Sequence, residues 1–177
     1  MNRDYNDNLL PPIMGRNYEI GWKGEWNEGR LNTSVALYRT DKDNNNQRVN
    51  ARPHAYWVPL NQSSRGLDAE ISGSLTDRWQ VYAGYTFNRS TNRNSIAGNV
   101  ASRQQGYNFS SHTPKHMFRL YTSYVLPVDE GRWTVGLGVK SSSKTANSSG
   151  TLKQGGYTVW NTNVQYRPSK NLQLGLA

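Results

Sequence analysis

Few residues in this chain are of types that do chemistry, and their spacing argues against a catalytic centre. His112 and His116, in HTPKH, have the four-residue spacing that puts two ligands on one helix face. Pro114 lies between them and breaks such a helix, and no HExxH glutamate accompanies them, so no metal site is expected. Asp68 and Glu70 stand two apart, on one side of an extended segment, where paired carboxylates can share acid–base work. Charges facing a wet interior are the simpler reading of that pair. The serine of Gly73-Ser74-Leu75-Thr76-Asp77 leads into a turn and has no nucleophile-elbow context. Gly136-Leu137-Gly138 reads as a strand with small side chains, not a phosphate cradle. Cysteine is absent, which removes disulfides, thiolate ligands and thiol catalysis. The expectation is a non-enzyme with no catalytic residue, no metal and no cofactor.

Binding is the chemistry left. His54, Tyr56, Trp57, Arg103 and Tyr107 lie in or beside long polar segments and combine ring faces with positive charge. Such groups suit a ligand with aromatic or anionic parts, and loops on a rigid scaffold are where binding residues concentrate. These five are the candidate ligand contacts.

The scaffold is read from period-two alternation. In GLDAEISGSLTDRWQVYAGYTF, Leu67, Ala69, Ile71, Gly73 and Leu75 fall on one face, and Asp68, Glu70, Ser72 and Ser74 on the other. After a tight turn, Trp79, Val81, Ala83, Tyr85 and Phe87 repeat the apolar face. Strands of about ten residues, with aromatics closing the apolar face, match a transmembrane β-barrel hairpin. The same pattern predicts strands near 17–26, 31–41, 56–75, 79–89, 115–127, 133–143, 156–166 and 172–176. Residues 1–16 and the segments 42–55, 90–114 and 144–155 read as loops. Short and long connections therefore alternate, as periplasmic turns and extracellular loops do. Trp26, Trp79, Trp133 and Tyr166 adjoin short turns on the apolar face, and Tyr18 and Phe87 lie at its other end. Eight residues at about 3.3 Å each, tilted by about 40°, span roughly 20 Å of membrane normal. These six are the expected aromatic girdle.

Composition agrees. Only 34% of the chain is hydrophobic, enough for a barrel with a wet interior but thin for a soluble core. Six Trp and eleven Tyr against three Phe suit rings at a membrane interface. No apolar run is long enough for a membrane-crossing helix, and the N-terminus has no signal-peptide apolar region. The net charge of +9 is scattered through turns and loops, so nucleic acid is not an expected partner.

GRNYEIGWKGEWNEGRLNTSVALYRTDKDN, RGLDAEISGSLTDRWQVYAGYTF, PKHMFRLYTSYVLP and GGYTVWNTNVQYRPSKNLQLGL resemble the barrel of TonB-dependent siderophore receptors, nearest the hydroxamate and pyoverdine group. The resemblance runs from Leu10 onward. It implies an all-β, antiparallel, up-and-down segment of about eight strands within a plugged barrel of about 22. It also implies a Gram-negative outer-membrane location and import of ferric siderophores with energy delivered by TonB. Iron then arrives as a ferric siderophore and is not ligated by the protein. The implied partners are that chelate, outer-membrane lipid, TonB acting through a plug, and the remainder of the barrel. With no recognisable plug, TonB box or aromatic-terminated closing strand, residues 1–177 read as a partial barrel domain. Two alternatives are a closed eight-stranded outer-membrane barrel with an adhesin or structural role, and a soluble basic β-protein binding glycan or nucleic acid.

Overall fold

Alternating side chains make the strands, and the turns between them set the order. The structure is a computed structural model describing residues 2–50, 54–96, 104–147 and 150–177. The strands are β1 (Met14–Trp26), β2 (Leu31–Val49), β3 (Tyr56–Thr76), β4 (Trp79–Asn92), β5 (His116–Val125) and β6 (Trp133–Ser142). They continue with β7 (Thr145–Ala146), β8 (Lys153–Gln154), β9 (Tyr157–Ser169) and β10 (Leu172–Leu176). Eight of them form one sheet in the order β1-β2-β3-β4-β5-β6-β9-β10, while β7 and β8 form a small ladder of their own. All neighbouring pairs are antiparallel, so the sheet is a meander. Among the described residues the only helical piece is a 3-10 turn at Asp129–Gly131.

Register carries the alternation across the whole sheet. Trp22 lies opposite Val35, Val35 opposite Ala69, Ala69 opposite Tyr85, and Tyr85 opposite Phe118. One row along, Ile71 meets Ala83, then Leu120, Val139 and Trp160. The adjacent residues form the other face: Lys23, Ser34, Glu70, Gly84, Arg119 and Lys140 make a continuous row. From the aromatics beside the short turns up to Ile20, Leu37, Leu67, Phe87, Phe118 and Val139, the first face carries no Asp, Glu, Lys or Arg. The second face carries Glu19, Lys23, Glu25, Asp68, Glu70, Arg119 and Lys140. They are called the apolar and polar faces below.

Among the described residues no second sheet covers the apolar face. Ile20 is 73% exposed and Trp160 65% exposed, with Trp22, Leu37 and Leu174 also exposed. A soluble sandwich buries such a face against a partner layer, and the described residues supply no such layer here. The described buried hydrophobics are Val139 and a small cluster of Val49, Leu60 and Ile96, flanked by Tyr56 and Val58. β1 and β10 each have one neighbour and do not pair with each other. The closed eight-stranded barrel is therefore also overturned. Unpaired backbone groups along both edges are positions where further strands add.

Sequence and structure differ most in the segments 1–16 and 42–55. β1 begins at Met14, and β2 continues to Val49, pairing with β3 as far as Tyr56. Asn45, Asn46, Gln47 and Arg48 read as loop because they are polar on both faces. Beyond the apolar band both faces are wet, so strand pairing there needs no alternation. Asn44, with φ +59, is the extra residue of a bulge between Lys42 and Asn45. A second irregularity displaces Leu75. Ser74 pairs with Gln80 and Thr76 with Trp79, so Leu75 is the unpaired extra residue and Thr76 takes the apolar-face place. β9 likewise runs through Pro168 to Ser169, where the register with β10 shifts. A proline, having no N–H, is tolerated at such a break.

Candidate functional site

The end of the sheet away from the short turns is where side chains converge. β2 and β3 extend past the apolar band, and the face that bears Glu70 continues there as Leu60, Val58 and Tyr56. Ile96 packs on Val49 and Leu60 from the segment after β4. The N-terminal segment docks on the start of β3, where the Trp57 N–H donates to the Arg3 carbonyl at 2.9 Å. Asp4 shapes that segment: Oδ1 accepts the Asn8 N–H at 2.8 Å and the Asn6 N–H at 2.9 Å. The Asn8 N–H and side-chain amide, with the Asn6 N–H, hold the Asp4 carboxyl below the ordinary carboxylate range, against slight desolvation. The turn presents Tyr5, whose ring stacks on His54 at 5.3 Å and meets Tyr56 edge-on at 5.2 Å. Tyr5 and His54 are exposed and Tyr56 is half-buried.

The other candidates are placed differently. Trp57 follows Tyr56 in β3 and so belongs to the opposite side of the strand, with Arg48 as its partner. Tyr107 lies beyond the end of β4, where its carbonyl accepts the Asn92 N–H at 3.0 Å. Asn92 is 2% exposed and faces Gln62, which is 9% exposed and donates to it at 3.2 Å. Arg103 lies outside the described residues. The structure thus brings together His54 and Tyr56, adds Tyr5, and separates Trp57 from them. Tyr5 carries no sequence signal, because it sits in a turn without periodicity and reaches β3 only through tertiary docking.

The six aromatics expected to form a girdle, Tyr18, Trp26, Trp79, Phe87, Trp133 and Tyr166, all lie on the apolar face. Trp26 and Trp79 satisfy their indole N–H groups on that same face, donating to Thr33 Oγ1 at 2.9 Å and Thr122 Oγ1 at 2.7 Å. An indole donor facing a medium without water needs such a partner. Trp133 and Tyr166 are direct cross-strand neighbours with rings stacked at 4.4 Å. Tyr18 and Phe87 stand at the far end, Phe87 packing on His116 at 5.0 Å. His116 also meets the Tyr85 hydroxyl at 2.8 Å, so it packs among the aromatics of the apolar face. Among the described residues no three His, Cys, Asp or Glu side chains converge as metal ligands.

Residues 1–177 match the family described as TonB dependent receptor-like, beta-barrel. The chain belongs to this family. Among curated proteins of the family's kind, it is 32% identical over 164 residues to the ferric-pyoverdine M114 receptor PbuA of Pseudomonas sp.. That alignment covers 89% of this chain and 19% of the relative. It is 35% identical over 152 residues to the ferripyoverdine receptor of Pseudomonas aeruginosa, covering 81% of this chain and 17% of the relative. The fold superposes on FpvA of P. aeruginosa, solved bound to heterologous pyoverdines, with a TM-score of 0.78 and 29% identity. The superposition covers 98% of this chain and 24% of FpvA. The chain spans about a fifth of the length of the curated relatives it matches.

Family membership explains why one face lacks charge and the other does not. A receptor barrel segment has a lipid side and an interior side, and the observed sheet has one face fit for each. The polar face holds a cavity of about 330 Å³ lined by Asp68, Glu70, Tyr82, Met117 and Arg119, among others. Gly84 stands between Glu70 and Arg119 in the row and leaves that space open.

Proposed function

We propose that this chain is part of an outer-membrane receptor that binds ferric siderophores outside the cell and imports them with energy delivered by TonB. The observation that carries the reading is the charge-free apolar face, continuous over eight strands, backed by a face bearing seven charged side chains. A lysine or arginine on a lipid-facing strand position at mid-membrane costs about 2–4 kcal/mol, while interior positions tolerate charge. The relatives named as ferric-pyoverdine receptors supply the ligand class.

In this reading the apolar face meets lipid and the polar face lines the interior. The short turns face the periplasm, and the β2–β3 extension stands outside the cell. Tyr5, His54 and Tyr56 then offer ring faces at the outer mouth, with Tyr107 and Arg103 as further contacts. Rings and a guanidinium suit a chelate with aromatic and anionic parts. The protein supplies no ligand to iron, which stays within its chelator. It acts as a transport receptor and makes or breaks no covalent bond.

The test is uptake of radiolabelled ferric pyoverdine by cells whose only pyoverdine receptor is a full-length protein carrying this segment. Cells should bind the chelate and accumulate it, and loss of TonB should abolish accumulation while leaving surface binding intact. Accumulation unaffected by TonB loss would overturn the mechanism, and absence of binding to any ferric siderophore would overturn the ligand class.

A further inference from the structure

Carboxylates are unevenly placed along the chain. Residues 78–177 contain only Asp129 and Glu130, and both lie in the short turn between β5 and β6. The segments 93–115 and 143–156 therefore hold cations and no carboxylate. At the end of the sheet away from the short turns, the carboxylates are Asp4, Asp7, Asp41 and Asp43, in the N-terminal segment and β2.

Beyond the ends of β5 and β6 these two segments border a cavity of about 500 Å³. Hydrogen bonds build its wall. The Ser143 N–H donates to the His116 carbonyl at 2.9 Å, and the His116 N–H donates to Ser143 Oγ at 3.0 Å. The Ala146 N–H donates to the Ser111 carbonyl at 2.9 Å, and Ser111 Oγ donates to the Asn147 carbonyl at 3.1 Å. Lys115 precedes His116 and Lys144 follows Ser143, so in this antiparallel pair both lie on the same side of that closure. Lys153 of β8 joins them through its pairing with Ala146. All three lysines line the cavity and all three are exposed. None forms an ion pair among the described residues, and no carboxylate lines the cavity. Three ammonium charges around one space repel each other when no anion lies between them.

We propose that this cavity is an anion subsite that takes free carboxylate groups carried by the ferric chelate outside its iron-binding groups, and so makes the receptor prefer carboxylate-bearing chelates. This rests on the ligand class given under Proposed function. Three observations fit this occupant. The volume lies within the range of small-ligand pockets, about 300–1,000 Å³. Lysine joins an apolar stem to a charged tip, which matches an organic acid better than a bare inorganic ion. The cavity stands at the end from which the chelate approaches, so its positive field also draws an anion inward. The subsite is separate from Tyr5, His54 and Tyr56, which meet at the start of β3. Bound carboxylate supplies the counter-charge that the segments 93–115 and 143–156 lack.

The test uses a full-length receptor carrying this segment, purified in detergent. The probes are ferric pyoverdine and the same ferric chelate after its free carboxylates are converted to carboxamides. The wild-type protein should bind the free acid at least about tenfold more tightly. The triple variant Lys115→Gln, Lys144→Gln, Lys153→Gln should bind the two forms alike. A control removing the same charge at the short turns (Arg78→Gln, Arg167→Gln, Lys170→Gln) should keep the preference. Acetylation of the wild-type protein, read by mass spectrometry, should slow at Lys115, Lys144 and Lys153 with the free acid and not with the carboxamide. Equal affinity of the wild-type protein for the two chelates, a comparison that needs no variant to fold, would overturn the proposal. So would equal loss of preference in the cavity and control variants. Slowing by inorganic phosphate, with no preference between the chelates, would assign the cavity to a free anion and overturn the proposal as well. If the wild-type protein binds both chelates equally, the ligand class stands and only the subsite falls. If it binds neither, the ligand class and the subsite fall together.

Discussion

Glu70 and Ile71 are consecutive in β3 yet belong to opposite faces of the sheet: Glu70 lies between Ser34 and Gly84, and Ile71 between Thr33 and Ala83. Their rows continue to Arg119 and to Leu120, so one residue of offset separates a charged row from an apolar one. Ile71→Arg should therefore impair membrane assembly of a full-length receptor by about 2–4 kcal/mol, while Glu70→Arg should be tolerated. Heat-modifiable gel mobility after refolding into lipid measures this, and equal effects of the two changes would contradict the assigned faces.

Gly73 has φ +133, and a Cβ there would run into the Arg30 carbonyl oxygen. The same carbonyl accepts the Ser74 N–H at 2.8 Å, fixing the β1–β2 turn against β3. Gly73→Ala should cost about 1–3 kcal/mol, from strain at an unfavourable backbone conformation together with the clash. Urea unfolding in detergent should show a lower midpoint. Gly15, with open space around it, should accept alanine with little change.

Tyr56 and Trp57 make a second adjacent pair on opposite sides of β3. Tyr56→Ala removes the edge-on partner of Tyr5 and should weaken ferric-siderophore binding several-fold, with barrel assembly intact. Trp57→Ala should have the smaller effect on affinity. Equilibrium binding of the ferric siderophore to each full-length variant decides the order, and a larger loss for Trp57→Ala would place the contact on the other side of β3.

The Asp4 turn leads to a pH prediction for the N-terminal segment. Its pKa is lowered in the folded state by the Asn8 and Asn6 donors, so its contribution is full above the ordinary value of about 3.9. That contribution is lost as pH falls through the depressed folded value. Amide exchange of residues 2–10, corrected for intrinsic rate, should accelerate below about pH 4. Asp4→Asn should show faster exchange already at neutral pH. No difference between variant and wild type would mean that the turn is held without the carboxylate.

The free edges of β1 and β10 predict the behaviour of residues 1–177 alone. An exposed apolar face and two unpaired strands should drive self-association in plain buffer. Sedimentation with and without detergent tests this, and a stable monomer in buffer would contradict the edge argument.

The sequence by itself determined which residues share a face. Alternation is a local property: once Ile71 is on one side of an extended chain, Glu70 is on the other whatever the strand pairs with. The strand cores, the charge-free band, the shared face of Tyr18, Trp26, Trp79, Phe87, Trp133 and Tyr166, and the short turns were legible for that reason. So was the family, whose motifs lie within single hairpins. Only the tertiary structure decided what depends on register and docking. β2 runs on to Val49 because β3 pairs with it, although its polar residues alone read as loop. Tyr5 reaches His54 and Tyr56 because the N-terminal turn hydrogen-bonds to the start of β3. Arg39, Arg65 and Arg89 are unremarkable in their separate strands. They become one rung because two hairpin registers place them opposite each other, and register is fixed by pairing across strands, beyond the reach of any local window.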